Sequence, residues 1–234
     1  MIGIYIFIGL YLLTLGLYFY TETSGNMKLR APNKVVLTVS FFTFAVVMFF
    51  TKPRFAGLNG LAPSTTFHIV LIVALWLSMM GDIFLLFNIN RGGDFFLAGN
   101  IAFFAYYCAL FALNGVSFAA WWWVIPVAIL LTATWAFLFY KYPNRFRLGK
   151  MKGPMILYLS TIILHGVMAV AALIFLGGQF LWAIFLSVGS ILFMISDQIL
   201  TIDYFVFPGR KWLLRMNSLF YFVGMLLIVL SMVF

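Results

Sequence analysis

Eight stretches of this chain run for about 20 residues with almost no charge, and that feature decides what it can fold into. A helix needs about 20 mainly apolar residues to cross the hydrocarbon of a bilayer, and only helices or closed barrels satisfy their backbone there. Barrel strands would alternate in polarity, and no segment does. The runs that qualify are 1–20, 34–51, 66–87, 95–113, 120–140, 154–176, 179–202 and 212–234. The expected fold is therefore all-α, a polytopic bundle of eight transmembrane helices forming a single membrane domain over 1–234. Composition closes the alternative. A soluble domain carries about 25% charged residues, whereas this chain has 8%, with 29 Phe, 12 Met and 7 Trp that would leave large apolar patches on a soluble surface. Soluble enzyme folds and nucleic-acid binders are excluded despite a net charge of +9.

Turn-forming residues separate the runs: Thr-Ser-Gly-Asn at 23–26, Lys-Pro at 52–53, Arg-Gly-Gly-Asp at 91–94, Asn-Gly at 114–115, Gly-Lys near 150, Gly-Gly at 177–178 and Pro-Gly at 208–209. No loop is long enough to be a soluble domain, so function is expected inside the bundle or at its mouths. The first run has no basic leader and no small-residue cleavage site, so it reads as a retained span. One cysteine, Cys108, allows no intramolecular disulfide.

Basic loops stay on the cytoplasmic side. Lys28, Arg30, Lys34, Arg91, Lys141, Arg145, Arg147, Lys150, Lys152, Arg210, Lys211 and Arg215 fall on one side, and only Lys52 and Arg54 on the other. With eight spans both termini are then non-cytoplasmic, and the expected location is a bacterial inner membrane. The basic face is mainly a topology signal, with anionic lipid headgroups as its natural neighbours.

Three short matches suggest an internal repeat. Lys28-Leu-Arg30-Ala-Pro32 precedes the second span and Lys150-Met-Lys152-Gly-Pro154 the sixth. Gly81-Asp82-Ile-Phe-Leu85 ends the third and Ser196-Asp197-Gln-Ile-Leu200 lies in the seventh. Asn100-x-x-Phe103-Phe104 and Asn217-x-x-Phe220-Tyr221 follow. Falling at nearly the same offset, they suggest two parallel four-helix halves.

Of the five acidic residues, Glu22, Asp94 and Asp203 fall in or beside loops, where a solvated charge is the ordinary reading. Asp82 and Asp197 lie inside apolar runs, each about five residues from the basic end, hence roughly 7 to 8 Å deep. An ionisable residue within a span is costly unless it faces a cavity or a partner, so two at one depth are the candidate catalytic pair. At 100° per residue Ser187, Ser190, Asp197 and Thr201 share a face of the seventh helix, and Ser78 and Asp82 one of the third. Tyr158, Thr161 and His165 form a stripe on the sixth, and Asn100 and Tyr107 stack on the fourth. Candidate ligand contacts are Ser78, Asn100, Tyr107, Tyr158, Ser190, Asn217 and Tyr221, with Arg91 and Arg215 expected nearest the basic mouth of the aspartate cavity, where Arg offers an anionic group a bidentate fork. His68 lies about 21 Å along the axis from Asp82, and two scattered histidines make no metal site.

The eight-span layout, with Gly81, Asp82 and Leu85 on the third helix, Ser196, Asp197 and Leu200 on the seventh, Gly99 and Phe103 on the fourth and Tyr221 on the eighth, resembles the lysoplasmalogenase, or YhhN-like, family across the whole chain. Tyr107 stands where that family is expected to have His, and Met225 where Gln is usual. The resemblance implies hydrolysis of the vinyl ether of a lysoplasmalogen by the two aspartates, with a lysophospholipid substrate, membrane lipids as surroundings and no metal or organic cofactor. The chemistry parallels two-carboxylate glycosidases, which pass through a related oxocarbenium ion. Which Asp is the acid stays open. Parallel repeats and buried acids also serve proton-coupled transport of lipids or small molecules, where the site is expected nearer the midplane.

Overall fold

The computed structural model of the protein describes residues 2–24, 27–51 and 65–233. Among these residues there are helices and turns and no strand: α1 (Ile2–Ser24), α2 (Met27–Thr51), α3 (Thr65–Leu85), α4 (Ile89–Leu113), α5 (Phe118–Trp121), α6 (Val124–Lys141), a 3-10 turn (Gly149–Met151), α7 (Lys152–Leu176), α8 (Leu181–Phe205) and α9 (Lys211–Leu230). Eight segments are long and apolar enough to cross a membrane, the fifth being α5 and α6 together over Phe118–Lys141. Lys52 and Arg54 lie outside the described residues.

Several helix ends differ from those expected. Helix α2 begins at Met27, not at 34, with Pro32 inside it. A proline near a helix start removes a single backbone bond and is tolerated there. Helix α4 begins at Ile89, so Arg91-Gly-Gly-Asp94 is helical and not a loop. Asn88 caps it, its side chain accepting from the backbone of Asn90 and Arg91. Position 92 takes glycine because only hydrogen fits: a Cβ there would stand 2.8 Å from the Leu85 backbone nitrogen. Helix α3 stops at Leu85, whereas α8 continues past 202 to Phe205. Counted from these ends, Asp82 lies three residues and Asp197 eight residues inside, so the equal distance from the helix ends expected of them does not hold.

Sequence neighbours pack on one another in both halves, and the most extensive pairs, α3–α4 and α8–α9, occupy corresponding places. Contacts of α4 with α7 and of α2 with α9 join the halves, so that α2, α3, α4, α7, α8 and α9 form a ring. Helix α1 lies against α2 and α9. Helix α6 lies outside against α7, burying Val124, Ala128 and Phe139 and leaving Ile129 and Leu130 exposed, as suits a lipid-facing helix. In bilayers helices associate through packing and small residues because lipid is as apolar as the core. Gly189 and Gly224 show this at the α8–α9 seam: a Cβ on either would meet the other's carbonyl oxygen at 2.6 or 2.7 Å.

Candidate active site

Helices α1, α2, α3, α4, α8 and α9 line one polar chamber, whose volume is about 50 Å³. Lys34 comes from α2, Asp82 from α3, Phe96 from α4, Asp197 from α8, and Asn217 and Tyr221 from α9. Tyr158, from α7, completes the set by donating its hydroxyl to Asp197 Oδ2. Both aspartates are buried, at 3% exposure each.

The carboxylates have different partners. Lys34 Nζ stands 2.8 Å from Asp82 Oδ1, and Thr38 donates to Oδ2 at 3.1 Å. Asp82 thus carries a cation and a hydroxyl, both from α2. Asp197 accepts a hydrogen bond from a phenol, that of Tyr158 on α7. In each half the second helix of the repeat reaches across to the aspartate on the third, but one half supplies an ammonium and the other a tyrosine. Tyr221 lines the same chamber and faces both Asp82 and Asp197.

The glycine before Asp82 has a local reason. A Cβ on Gly81 would stand 2.7 Å from the Phe96 ring, so glycine allows that ring to seat against α3. Phe96 meets Tyr221 edge-on, with centroids 6.0 Å apart, which fixes the chamber wall. Ser196, at the corresponding place before Asp197, is small and fully buried.

A second, larger and mostly apolar chamber of about 390 Å³ adjoins the first. Leu85, Phe96, Leu200 and Tyr204 line both. Tyr158 lines the apolar chamber while bonding the aspartate that lines the polar one. The Asp197 carboxylate therefore sits at the junction of a polar and an apolar space.

The other expected site residues divide into groups. Asn217 and Tyr221 line the polar chamber and Tyr158 borders it. Asn100, Tyr107 and Ser190 form a separate buried layer further from the basic end: Tyr107 donates to Ser190 Oγ at 2.9 Å, and Asn100 Oδ1 meets His165 Nδ1 at 3.2 Å. Ser78 bonds the Ala74 carbonyl of its own helix and packs at the α3–α4 seam beneath Gly99. Arg91 and Arg215 do not line the polar chamber. Arg91 is exposed on the first turn of α4, and Arg215 is half-buried on α9 with its Nε unpartnered. The cations that line the chamber are Lys34 and Arg30, because α2 starts seven residues earlier than the apolar run suggested and carries both into the bundle.

Glu22 and Asp203 are buried, correcting the reading of them as solvated loop charges. Glu22 Oε1 accepts from Tyr18 at 2.9 Å and Ser218 at 3.4 Å and pairs with Arg30 at 3.4 Å. This joins α1, α2 and α9 beside the polar chamber. The signal in the sequence was the spacing Tyr18-x-x-x-Glu22, one helical turn, which puts the acid on the buried face of the tyrosine.

Searches of curated proteins and of solved structures each find no match. The YhhN family pattern matches residues 29–232, from the helix that carries Arg30, Lys34 and Thr38 through the one that carries Asn217 and Tyr221. The chain belongs to the YhhN family, the family of the lysoplasmalogenases.

Proposed function

We propose that this protein is a membrane-embedded hydrolase that cleaves the vinyl ether of lysoplasmalogens, releasing a fatty aldehyde and a glycerophospho-alcohol, with its basic end on the cytoplasmic face of a bacterial inner membrane. The observation that carries the reading is the unequal pair. Two carboxylates line one chamber, one held by a lysine and the other by a phenol. Vinyl ether hydrolysis asks for that inequality, because one group must deliver a proton and the other must carry charge.

Asp197 is assigned as the acid. Its proton goes to the vinyl carbon remote from oxygen, and the electrons of the double bond leave an oxocarbenium ion at the carbon attached to oxygen. Asp82, kept ionised and fixed in place by Lys34 and Thr38, stabilises that cation across the chamber. Water adds to it and returns a proton to the Asp197 carboxylate. The resulting hemiacetal collapses to aldehyde and alcohol. An oxocarbenium ion is electrophilic enough that the water needs no strong base, so the Asp197 carboxylate left by the first proton transfer suffices.

The test is incubation of purified protein with a panel of lysoplasmalogens and lysophospholipid esters, with aldehyde release as the readout. Asp197→Asn and Asp82→Asn should each abolish release, since an amide supplies neither proton nor charge. Near-normal turnover by either variant, with folding verified, would refute the assignment.

A further inference from the structure

The cations of the polar chamber are already matched: Lys34 pairs with Asp82 and Arg30 with Glu22. A phosphate entering there would have to displace a carboxylate from a buried pair, which is costly. The apolar chamber offers a different arrangement, with Lys150 and Asp94 as its charged lining residues and no ion pair between them. Its walls come from α4, α7 and α8, including Leu97, Met155 and Phe205. Lys150, just before α7, lines it, is exposed, and makes no ion pair among the described residues. Leu157, also in the lining, is 58% exposed, so the chamber opens sideways as well as toward the basic end. From Lys150, in the turn before α7, to Tyr158 is roughly 12 Å at 1.5 Å per residue, a span that an extended lysine side chain and a glycerophosphate headgroup together can bridge.

We infer that the α4–α7–α8 chamber is the binding site for a single-chain phospholipid, which enters sideways from the basic leaflet, lays its hydrocarbon chain against Leu97 and Met155, and sets its phosphate at Lys150. This rests on the proposed reaction for the identity of the reacting group, which it brings to the Tyr158–Asp197 junction. It reverses the expectation that the phosphate is held by Arg91 and Arg215. The chamber gives position more than affinity, since a chain leaving lipid for an apolar wall gains little hydrophobic free energy.

Gly93 supplies a clean perturbation. It lines the chamber, lies inside α4, and a Cβ built on it meets nothing within 4 Å. Gly93→Trp should occupy the space without straining the helix. The full-length protein in nanodiscs is irradiated with a saturated alkyl-ether lysophospholipid carrying a diazirine at its chain end, and labelled peptides are mapped. This probe has no vinyl ether, so the readout needs no turnover. Labelling should concentrate in α4, α7 and α8, fall between about fivefold and a hundredfold in Gly93→Trp as an overfilled site would, and fall about fivefold in Lys150→Gln, one lysine near an anionic group. Lys150→Gln should not affect a phosphate-free alkylglycerol probe. Met155→Trp serves as a second block, and the wild-type labelling map decides the matter if neither variant folds. Labelling spread over lipid-facing residues such as Ile129 and Leu130, or unchanged by the blocking variants, overturns the inference even if hydrolysis is observed. Labelling confined to the chamber without vinyl ether hydrolysis upholds it and defeats the reaction.

Discussion

Lys34→Met tests whether one cation sets the character of Asp82. The ammonium lies 2.8 Å from the carboxylate, and the two side chains are 17% and 4% exposed. Removing one partner of a buried pair costs about 3 to 5 kcal/mol, because the other charge is left without compensation. The partial exposure of Lys34 and the Thr38 bond that remains put this case at the lower end, about 3 kcal/mol. For a chain of this length that corresponds to a fall in Tm of about 6 to 12 °C. The informative comparison is the double-mutant cycle with Asp82→Asn. In Lys34→Met/Asp82→Asn neither charge is buried unpaired, so most of the lost stability should return while aldehyde release stays absent. Thermal unfolding in one detergent, followed by tryptophan fluorescence and size-exclusion recovery, measures the first arm, and aldehyde release the second. If Lys34→Met unfolds at the wild-type temperature, or if the double variant is no more stable than the single, the ion pair does not hold Asp82 as argued.

Tyr158→Phe removes the phenol from Asp197 and leaves its ring in the chamber wall; kcat should fall about 10- to 150-fold, the equivalent of one hydrogen bond to a charged group, with folded yield kept. A drop in yield without a drop in kcat would make Tyr158 structural only. Turnover should trace a bell against pH, because the mechanism needs one carboxylate ionised and the other protonated, and a plateau extending to either extreme would contradict that division of labour. Gly189→Val should lower stability by about 1 to 3 kcal/mol, since a Cβ there meets the Gly224 carbonyl oxygen at 2.6 Å; thermal unfolding checks it, and an unchanged Tm would mean that α8 and α9 can separate at no cost. Glu22→Gln should loosen α1 from α9 through Tyr18 and Ser218, read as faster proteolysis near the N-terminal helices, with Asp197 chemistry intact in the molecules that remain folded.

The sequence by itself determined that the chain is a helical membrane bundle, how many apolar spans it has, and that Asp82 and Asp197 are its unusual residues. These follow from local quantities: the length of an apolar run against the thickness of a bilayer, and the cost of an acid inside one. Tertiary structure decided what those acids touch. Lys34 and Arg30 read as topology charges because the apolar run starts at 34, yet Pro32 is accommodated within α2 and the helix begins at Met27, which carries both cations into the chamber. Arg91 reads as a loop charge near an aspartate, yet Asn88 starts α4 early and leaves Arg91 exposed outside the chamber. Glu22 reads as solvated from its place near a loop, yet α1 lies against α9, whose Ser218 bonds it. The difference between Asp82 and Asp197 was not legible either, since Lys34 is 48 residues from one and Tyr158 39 from the other. Charge and hydropathy patterns report distance along a chain, whereas a carboxylate's role depends on which cation or donor packing brings within 3 Å, and that is settled only when the helices close into a ring.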